Sequence, residues 1–261
     1  MSLISLAGCN AQVITGRVVD VQGATVPGVA VSAEGSQAQA LTDGLGEYAI
    51  AYTPGRVILT FAKTGFTSGR LEIDATDAQG VNATDVQLWR LPMSKGVYLF
   101  EAPEYTRLGT TVPVRYQTKG LGTLYGIEKW QDVATLNKTP LLIAYRTSQY
   151  EARLYRLELL EFEVDDAKRK DSKVKAWVPV EAIQVAMTAI DEPLRQLMQV
   201  RYDGELNPGI YAVHWGSLDG QAQIENNSAY LFRIPATEGE APPVQPNEET
   251  VDLPTLSLDP E

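Results

Sequence analysis

Apolar residues recur at every second position in several short segments of the chain. The segments 29–33 and 57–61 each carry three such residues on one parity, and 48–50 repeats the pattern. A period of two places alternate side chains on one face of a β-strand, so each row predicts a half-buried strand. Short strands separated by turns favour an antiparallel β-sandwich. The turn signals are glycines, which tolerate positive φ, and prolines, which preset φ, at Gly23, Pro27, Gly28, Gly44, Gly46, Pro54, Gly55 and Gly65.

The residues around these turns form a series of motifs. The first predicted strand carries a G-x-V-x-D pattern at 16–20, a P-G turn at 27–28 opens the next strand, and the hairpin T-D-G-L-G-E-Y follows at 42–48. With K-T-G-F at 63–66, the stretch 15–66 resembles the carboxypeptidase regulatory-like domain, a small β-sandwich of the transthyretin-like kind. The resemblance implies a fold but no peptidase, because the zinc-bearing catalytic domain of carboxypeptidases has no counterpart in this chain.

The hairpin residues Asp43, Gly46 and Tyr48 form a structural turn motif in this resemblance. The carboxylate of Asp43 is expected to accept backbone N–H bonds inside the hairpin. A calcium ligand beside Glu47 is the alternative, but the chain lacks an Asp-rich loop with the spacing of a calcium site. The expectation is therefore a turn without a metal.

Beyond this stretch the apolar rhythm pauses near 91–94 and resumes at 97–100, which predicts a domain boundary there. Farther along, the segment 206–211 has the L-x-x-G-x-Y pattern of a tyrosine corner. In such a corner Gly209 would precede Tyr211, whose phenol would hydrogen-bond back to nearby backbone. Because tyrosine corners are found in Greek-key sandwiches, the pattern favours a second β-sandwich.

The segment 154–164 is ambiguous, because its apolar residues lie on both parities. A β-bulge after Leu159 would explain the change of parity in a strand. A short helix is the competing interpretation, since Leu157 and Leu160 have helical spacing.

Together these patterns predict an all-β chain with two β-sandwich domains. The first is a transthyretin or carboxypeptidase-regulatory-like sandwich, and the second is a Greek-key-type sandwich without an assigned family. After residue 235, prolines alternate with glutamates in a sequence that cannot bury enough apolar surface to order itself. The predicted organisation is a tether at 1–12, a carboxypeptidase regulatory-like domain at 13–92, a second sandwich at 93–235 and a disordered acidic, proline-rich tail at 236–261.

Composition narrows the choice of partners. The chain has 261 residues, 44% of them hydrophobic, which suffices for two modest cores. Its formal net charge of -11 argues against nucleic acid or an anionic membrane surface as the main partner, because both need a basic footprint. The single cysteine excludes an internal disulfide and a multi-cysteine zinc site.

That cysteine, Cys9, ends the sequence L-A-G-C, which resembles the lipobox of bacterial lipoproteins. The charged start and longer apolar run that usually precede a lipobox are missing here. The resemblance implies that Cys9 carries lipid and anchors the protein to a membrane without a spanning helix. Asn10, rather than aspartate, follows the cysteine, which by resemblance to lipoprotein sorting in two-membrane bacteria implies the outer membrane.

Candidate catalytic residues are few. His214 is the only histidine and lies between Val213 and Trp215 in a predicted strand, where a structural role is expected. The chain contains no G-x-S-x-G elbow, no H-E-x-x-H and no C-x-x-C, so we expect neither a metal nor a cofactor. Carboxylates crowd the segment 158–166, and a glycosidase would need two of them across a sugar cleft. Their alternation with apolar residues instead predicts the solvent side of a strand.

The tryptophans are the remaining candidates for binding. An exposed indole can stack on a sugar ring, although tryptophans in sandwiches are usually core residues. We therefore expect a non-catalytic cell-envelope lipoprotein that binds or scaffolds an envelope protein. The alternatives are a carbohydrate-binding lipoprotein that binds polysaccharide, and a hydrolase whose site the sequence does not reveal. The candidate stacking residues are Trp89, Trp130, Trp177 and Trp215.

Overall fold

The chain was analysed as a computed structural model, which describes residues 12–76, 80–120, 122–130, 133–135, 140–147, 152–165, 173–192, 194–218 and 228–236. These residues form strands and turns without a helix, which confirms the all-β prediction. Cys9 and residues 237–261 of the predicted tail lie outside the described residues. In the ranges described, no helix is long and apolar enough to cross a membrane.

The strands are β1 (Val13–Val19), β2 (Ala30–Ala33), β3 (Gln39–Leu41), β4 (Glu47–Ala51), β5 (Gly55–Ala62), β6 (Gly69–Ala75), β7 (Val81–Asn82), β8 (Val86–Gln87), β9 (Gly96–Glu101), β10 (Glu104–Arg107), β11 (Gly109–Thr111), β12 (Val114–Thr118), β13 (Gly122–Gly126), β14 (Ala134–Thr135), β15 (Leu141–Tyr145), β16 (Arg153–Glu163), β17 (Lys173–Ile183), β18 (Val185–Ala189), β19 (Leu197–Tyr202), β20 (Gly209–His214) and β21 (Ala229–Ile234).

The first eight strands form a small sandwich. One sheet has the order β4-β1-β7, with β8 pairing the far end of β1, and the other has the order β3-β2-β5-β6. The predicted rows 29–33 and 57–61 lie in the shared core, because alternate side chains of both segments face the opposite sheet. The largest fully buried residues of this core are Ile14, Ile50, Leu59, Phe61 and Leu88.

A five-stranded sheet follows, in the order β10-β9-β15-β19-β18. Its apolar cluster contains buried Tyr98, Phe100 and Ile143, against which half-buried Trp89 and Leu91 pack. Trp89 and Phe100 have ring centroids 5.0 Å apart. Trp89 and Leu91, at the end of the predicted first domain, therefore pack against this sheet.

A third set of strands has the order β11-β21-β20-β16-β17, with β14 beside β21. Residues 154–164, left between strand and helix by the sequence, form most of strand β16. The predicted bulge after Leu159 is wrong, because the register shifts between Arg156 and Leu157, where the partner strand β17 has one extra residue. Strand β16 has apolar residues on both parities because it is buried in two clusters. Leu157 belongs to one cluster, and Phe162, on the other parity, belongs to the other.

By contacts, the chain divides into two compact units. The first comprises the described residues of Met1–Arg107, Leu141–Gln149 and Met187–Arg201. The second comprises those of Leu108–Pro140, Tyr150–Ala186 and Tyr202–Glu261. This grouping differs from the predicted division near residue 92, because three strands that come later in the chain complete a sheet of the first unit. The two-sandwich division stays a prediction.

Candidate functional site

The T-D-G-L-G-E-Y motif is held by hydrogen bonds of two side chains. Thr42 is buried, and its Oγ1 donates to the carbonyl oxygen of Val26 at 2.8 Å and accepts from the amide of Val29 at 2.8 Å. Asp43 Oδ1 accepts from the amides of Leu45 and Glu47, at 2.9 Å each. These contacts orient the turn residues on the first strand. The described residues contain no group of three acidic, histidine or cysteine side chains that could hold a metal ion.

Gly46 completes this turn through its backbone. It has a φ of +72°, a conformation that glycine adopts without steric cost. Its carbonyl oxygen accepts a hydrogen bond of 2.8 Å from the amide of Val18. A Cβ on Gly46 would lie 2.6 Å from the carbonyl oxygen of Val18. The motif therefore requires glycine at this position because of backbone approach.

Tyr48 lies opposite Gly16 in the β1–β4 pair, and its ring crosses over the backbone of β1. Its ring packs edge-on against Phe61, with centroids 5.4 Å apart. The hydroxyl lies over Gly16, where a Cβ would come within 2.6 Å of it. That hydroxyl is buried and has no hydrogen-bond partner among the described residues. Burial, with a smaller contribution from Asp85, raises the pKa of Tyr48 to about 12.

A depression of about 720 Å³ lies beside this motif on the sheet of β4, β1 and β7. Small side chains such as Thr15 and Ala49 make it hollow. Three carboxylates and one guanidinium give it an acidic balance. Its lining is Thr15, Gly16, Arg17, Leu41, Asp43, Glu47, Tyr48, Ala49, Asn82, Ala83 and Asp85.

Arg17, the cationic side chain in the lining of the depression, forms an ion pair with a carboxylate. Arg17 Nη2 lies 2.5 Å and Nε 3.2 Å from Asp85 Oδ2. The hydrogen bond and charge of Asp85 raise the pKa of Arg17, and Glu47 raises it further. Both side chains of the pair are about half exposed, so water screens the attraction and its contribution to stability is small. The pair joins segments 68 residues apart, for which the sequence gives no local signal.

The structure places His214 in the interior of the second unit. The side chain is 4% exposed, and Nδ1 lies 3.3 Å from the carbonyl oxygen of Gly216. That carbonyl also accepts from the hydroxyl of Tyr155 at 3.1 Å, which in turn accepts from the amide of Leu218 at 3.2 Å. Burial lowers the pKa of His214, so the imidazole is neutral at pH 7. These surroundings fit a packing role.

The carboxylates of β16 are paired with cations on the solvent side. Glu158 Oε1 lies 2.8 Å from Arg156 Nη2. Glu161 lies 3.5 Å from Lys173 and 3.7 Å from Lys175. The five side chains in these ion pairs are between one third and two thirds exposed. They form a charged surface of the hairpin β16–β17.

The four tryptophans differ in exposure. Trp215 is fully buried and Trp130 is 8% exposed, so neither offers a face on which a sugar could stack. Trp89 and Trp177 are half-buried. Trp177 packs against Trp130, with centroids 5.3 Å apart. The candidate stacking residues are therefore reduced to Trp89 and Trp177.

The predicted tyrosine corner has the following geometry. The hydroxyl of Tyr211 donates to the carbonyl oxygen of Asn207 at 2.6 Å. Its ring stacks on Phe232, with centroids 5.3 Å apart. Burial raises the pKa of Tyr211. Gly209 lies beside this ring, where a Cβ would be 3.8 Å from Tyr211. The hydrogen bond of Tyr211 connects the start of β20 to the segment that precedes it.

Strands β1–β8 form a small β-sandwich around one apolar core and carry the T-D-G-L-G-E-Y motif. Residues 13–88 match the family model of the carboxypeptidase regulatory-like domain. This part of the chain is a carboxypeptidase regulatory-like domain. The resemblance drawn from the turn motifs is thereby confirmed. No curated protein matches the chain.

The solved structures that match this chain include three distantly similar ones. A chain of a type II cohesin–X-dockerin complex from Acetivibrio cellulolyticus, mutated at the N-terminal interface, is 14% identical over 30% of this chain and 58% of that chain, with a TM-score of 0.27. The C-terminal interface mutant of that complex is 13% identical over 36% of this chain and 64% of that one, with a TM-score of 0.28. The major pilin subunit of Bacillus cereus is 10% identical over 85% and 68% of the two chains, with a TM-score of 0.25. In the cohesin–dockerin complexes, the match spans less than two thirds of the other chain. These similarities are too distant to indicate a function.

Proposed function

We propose that the chain is a non-catalytic cell-envelope lipoprotein that binds or scaffolds an envelope protein. The observation that carries this proposal is the acidic depression on the carboxypeptidase regulatory-like domain, which is concave, polar and open to solvent. Electrostatic complementarity at such a surface gives selectivity for a partner of opposite charge. The surface has the features of a recognition site.

The surroundings of the ionisable residues support a role without chemistry. A general base must lie within hydrogen-bond reach of the proton that it takes. His214 is buried beside a backbone carbonyl. Glu158 and Glu161 lie beside cations on an exposed strand face. In the depression, Asp43 holds its own turn and Asp85 holds Arg17. Each of these ionisable side chains therefore has a structural role.

The anchor is proposed from the lipobox. The sequence Leu6-Ala7-Gly8-Cys9 precedes the first strand, β1, by only a few residues. Lipid on Cys9 would hold the domains close to a membrane surface, and Asn10 favours the outer membrane in a two-membrane envelope. A single acyl chain gives only reversible binding, so stable anchoring needs the several chains of a bacterial lipoprotein.

The anchor has a direct test in cells. When the gene is expressed in a bacterium fed a clickable fatty acid, we expect the label on the protein and its recovery in the membrane fraction. The variant Cys9→Ala should carry no label and leave that fraction, and an unchanged melting temperature of the variant would show that it still folds. Equal labelling of both proteins would end the lipoprotein proposal.

Partner class is tested by two parallel measurements. Photo-crosslinking in cells, with a crosslinker at Asn82 beside the depression, should capture one envelope protein in stoichiometric amount. A crosslinker at Glu101, on a strand outside the sheet of the depression, is the control and should not. The purified protein should pass unretarded over immobilised envelope polysaccharides. Retention on one polysaccharide, abolished by Trp177→Ala and without a crosslinked protein, would instead establish the carbohydrate-binding alternative.

A further inference from the structure

The edge strand of the first sheet has backbone groups that no neighbouring strand uses. Strand β4 is the terminal strand of the order β4-β1-β7. The amide of Val18 donates to Gly46 and that of Tyr52 donates to Gln12, so the even-numbered residues of β4 bond to β1. In an antiparallel pair the alternate residues point their N–H and C=O groups away from the partner. The N–H and C=O groups of the odd-numbered residues of β4 therefore point away from β1.

Only part of this outward edge is open. The carbonyl oxygen of Glu47 accepts from the amide of Asp43 at 2.9 Å, and the Glu47 amide donates to the Asp43 carboxylate at 2.9 Å. In the part of the chain that the structure describes, the outward amides and carbonyls of Ala49 and Ala51 have no such partner. The open edge thus begins at Ala49.

Strand β4 itself contains no lysine, proline or bulge. Natural sheets protect their edges with lysine, proline or a bulge. Strand β4 reads Glu-Tyr-Ala-Ile-Ala and pairs with β1 in continuous register. Its outward-facing side chains beyond Glu47 are the methyl groups of alanines, which leave the backbone accessible. By contrast, β6, an edge of the opposite sheet, carries Arg70 and Glu72, each in an ion pair with a neighbouring strand or turn.

The acidic depression lies beside this open edge. Ala49 and Glu47 of β4 belong to its lining, as does Leu41 of β3, which is 69% exposed. A strand added next to β4 would run about 4.8 Å from it and direct alternate side chains over the same face. There the carboxylate of Glu47 would meet a positive side chain, and Leu41 would meet an apolar one.

We propose that an extended segment of a protein partner, with a lysine or arginine among alternating apolar residues, adds to β4 as a further strand and places its cation in the depression. This inference rests on the proposed function and names the partner's chemistry. Main-chain hydrogen bonds to an edge give affinity, and pockets for alternate side chains give specificity. A second copy of this chain is a poorer occupant, because its own β4 would bring Glu47 towards an acidic surface on a chain of net charge -11.

The test uses the full chain and two synthetic peptides. One is an acetylated, amidated heptapeptide with lysine at the central position, valine two positions to either side of it and serine elsewhere, so that lysine and valine share one face of a strand. Its matched control has glutamate in place of lysine. Fluorescence anisotropy should show binding of the lysine peptide, at least tenfold tighter than the glutamate peptide and weakened by salt. In the saturated complex, hydrogen exchange at the amides of Ala49 and Ala51 should slow at least tenfold.

Two variants and a control localise the binding. Ala49→Pro removes an outward N–H without removing a bond to β1, and it should abolish binding. Glu47→Lys should weaken binding of the lysine peptide at least fivefold, whereas Glu101→Lys, with the same change of charge on another strand, should leave it unchanged. Unprotected Ala49 and Ala51 amides, equal binding of both peptides, or no binding would overturn the inference. A dimer of this protein that dissociates on Ala49→Pro would also overturn the inference, because a second copy would then occupy the edge. A crosslinked partner with no effect of these variants would preserve the proposed function and refute only the edge.

Discussion

Replacing Gly46 by alanine is expected to destabilise the carboxypeptidase regulatory-like domain by about 3 kcal/mol or more. A side chain at a φ of +72° costs about 1 to 2 kcal/mol in most residues. The new Cβ would also lie 2.6 Å from the Val18 carbonyl oxygen and 3.1 Å from the Val26 amide nitrogen. Both atoms are backbone, and the Val26 amide donates to the Val18 carbonyl oxygen at 3.0 Å, so the backbone itself would have to move.

Calorimetry of the full chain measures this effect. A loss of about 3 kcal/mol lowers the melting temperature of a domain of this size by roughly 12 to 24 °C. Gly44→Ala is the matched control, two residues earlier in the same hairpin, because a Cβ there meets nothing within 4 Å. It should change the melting temperature by only a few degrees, in either direction. If Gly46→Ala and Gly44→Ala have the same melting temperature, the close approach of the turn to β1 is not the reason for glycine at position 46.

The second large effect is expected from Trp215→Ala. Trp215 is fully buried and packs edge-on against Tyr230, with ring centroids 5.8 Å apart. Truncating a buried tryptophan to alanine typically costs about 3 to 5 kcal/mol, because the transfer energy is lost and a cavity remains. Its indole N–H has no partner among the described residues, so the loss would come from packing alone. Urea unfolding should show a lower midpoint with an unchanged slope.

Trp177→Ala is the matched control for this prediction. Trp177 is only half-buried on strand β17, so its truncation should cost about 1 to 2 kcal/mol. The comparison also bears on carbohydrate binding. Loss of polysaccharide retention in Trp215→Ala would report unfolding, whereas loss in folded Trp177→Ala would report stacking. Equal destabilisation by the two substitutions would contradict the burial of Trp215.

Local features of the first domain could be predicted from the sequence. A turn needs particular residues within a few positions, so the letters of 42–48 indicate both the hairpin and the N–H bonds to Asp43. Alternation along 29–33 and 57–61 likewise reflects the pleat of a single strand. The motif did not reveal the task of Thr42, whose hydroxyl bonds to Val26 and Val29, because those partners lie in an earlier turn.

Features that depend on strand pairing could not be predicted. The acidic depression brings Arg17 to Asp85, and an edge position for β4 follows only from the order of strands in the sheet. From the sequence alone, a bulge after Leu159 or a short helix would explain the two apolar parities of β16. In the structure, the extra residue lies in β17 instead, and β16 is buried on different faces along its length. A single strand does not carry information on which neighbour covers each face.

The hydrogen bonds between Asp43 and the backbone of Glu47 also bear on solubility. They close the N-terminal part of the β4 edge and leave only residues from Ala49 to Ala51 open. Segments that stack into fibrils are about six or seven residues long and low in charge. An opening of this length beside the carboxylate of Glu47 is too short for copies of the chain to propagate a sheet. The turn that begins the strand therefore also protects this edge against aggregation.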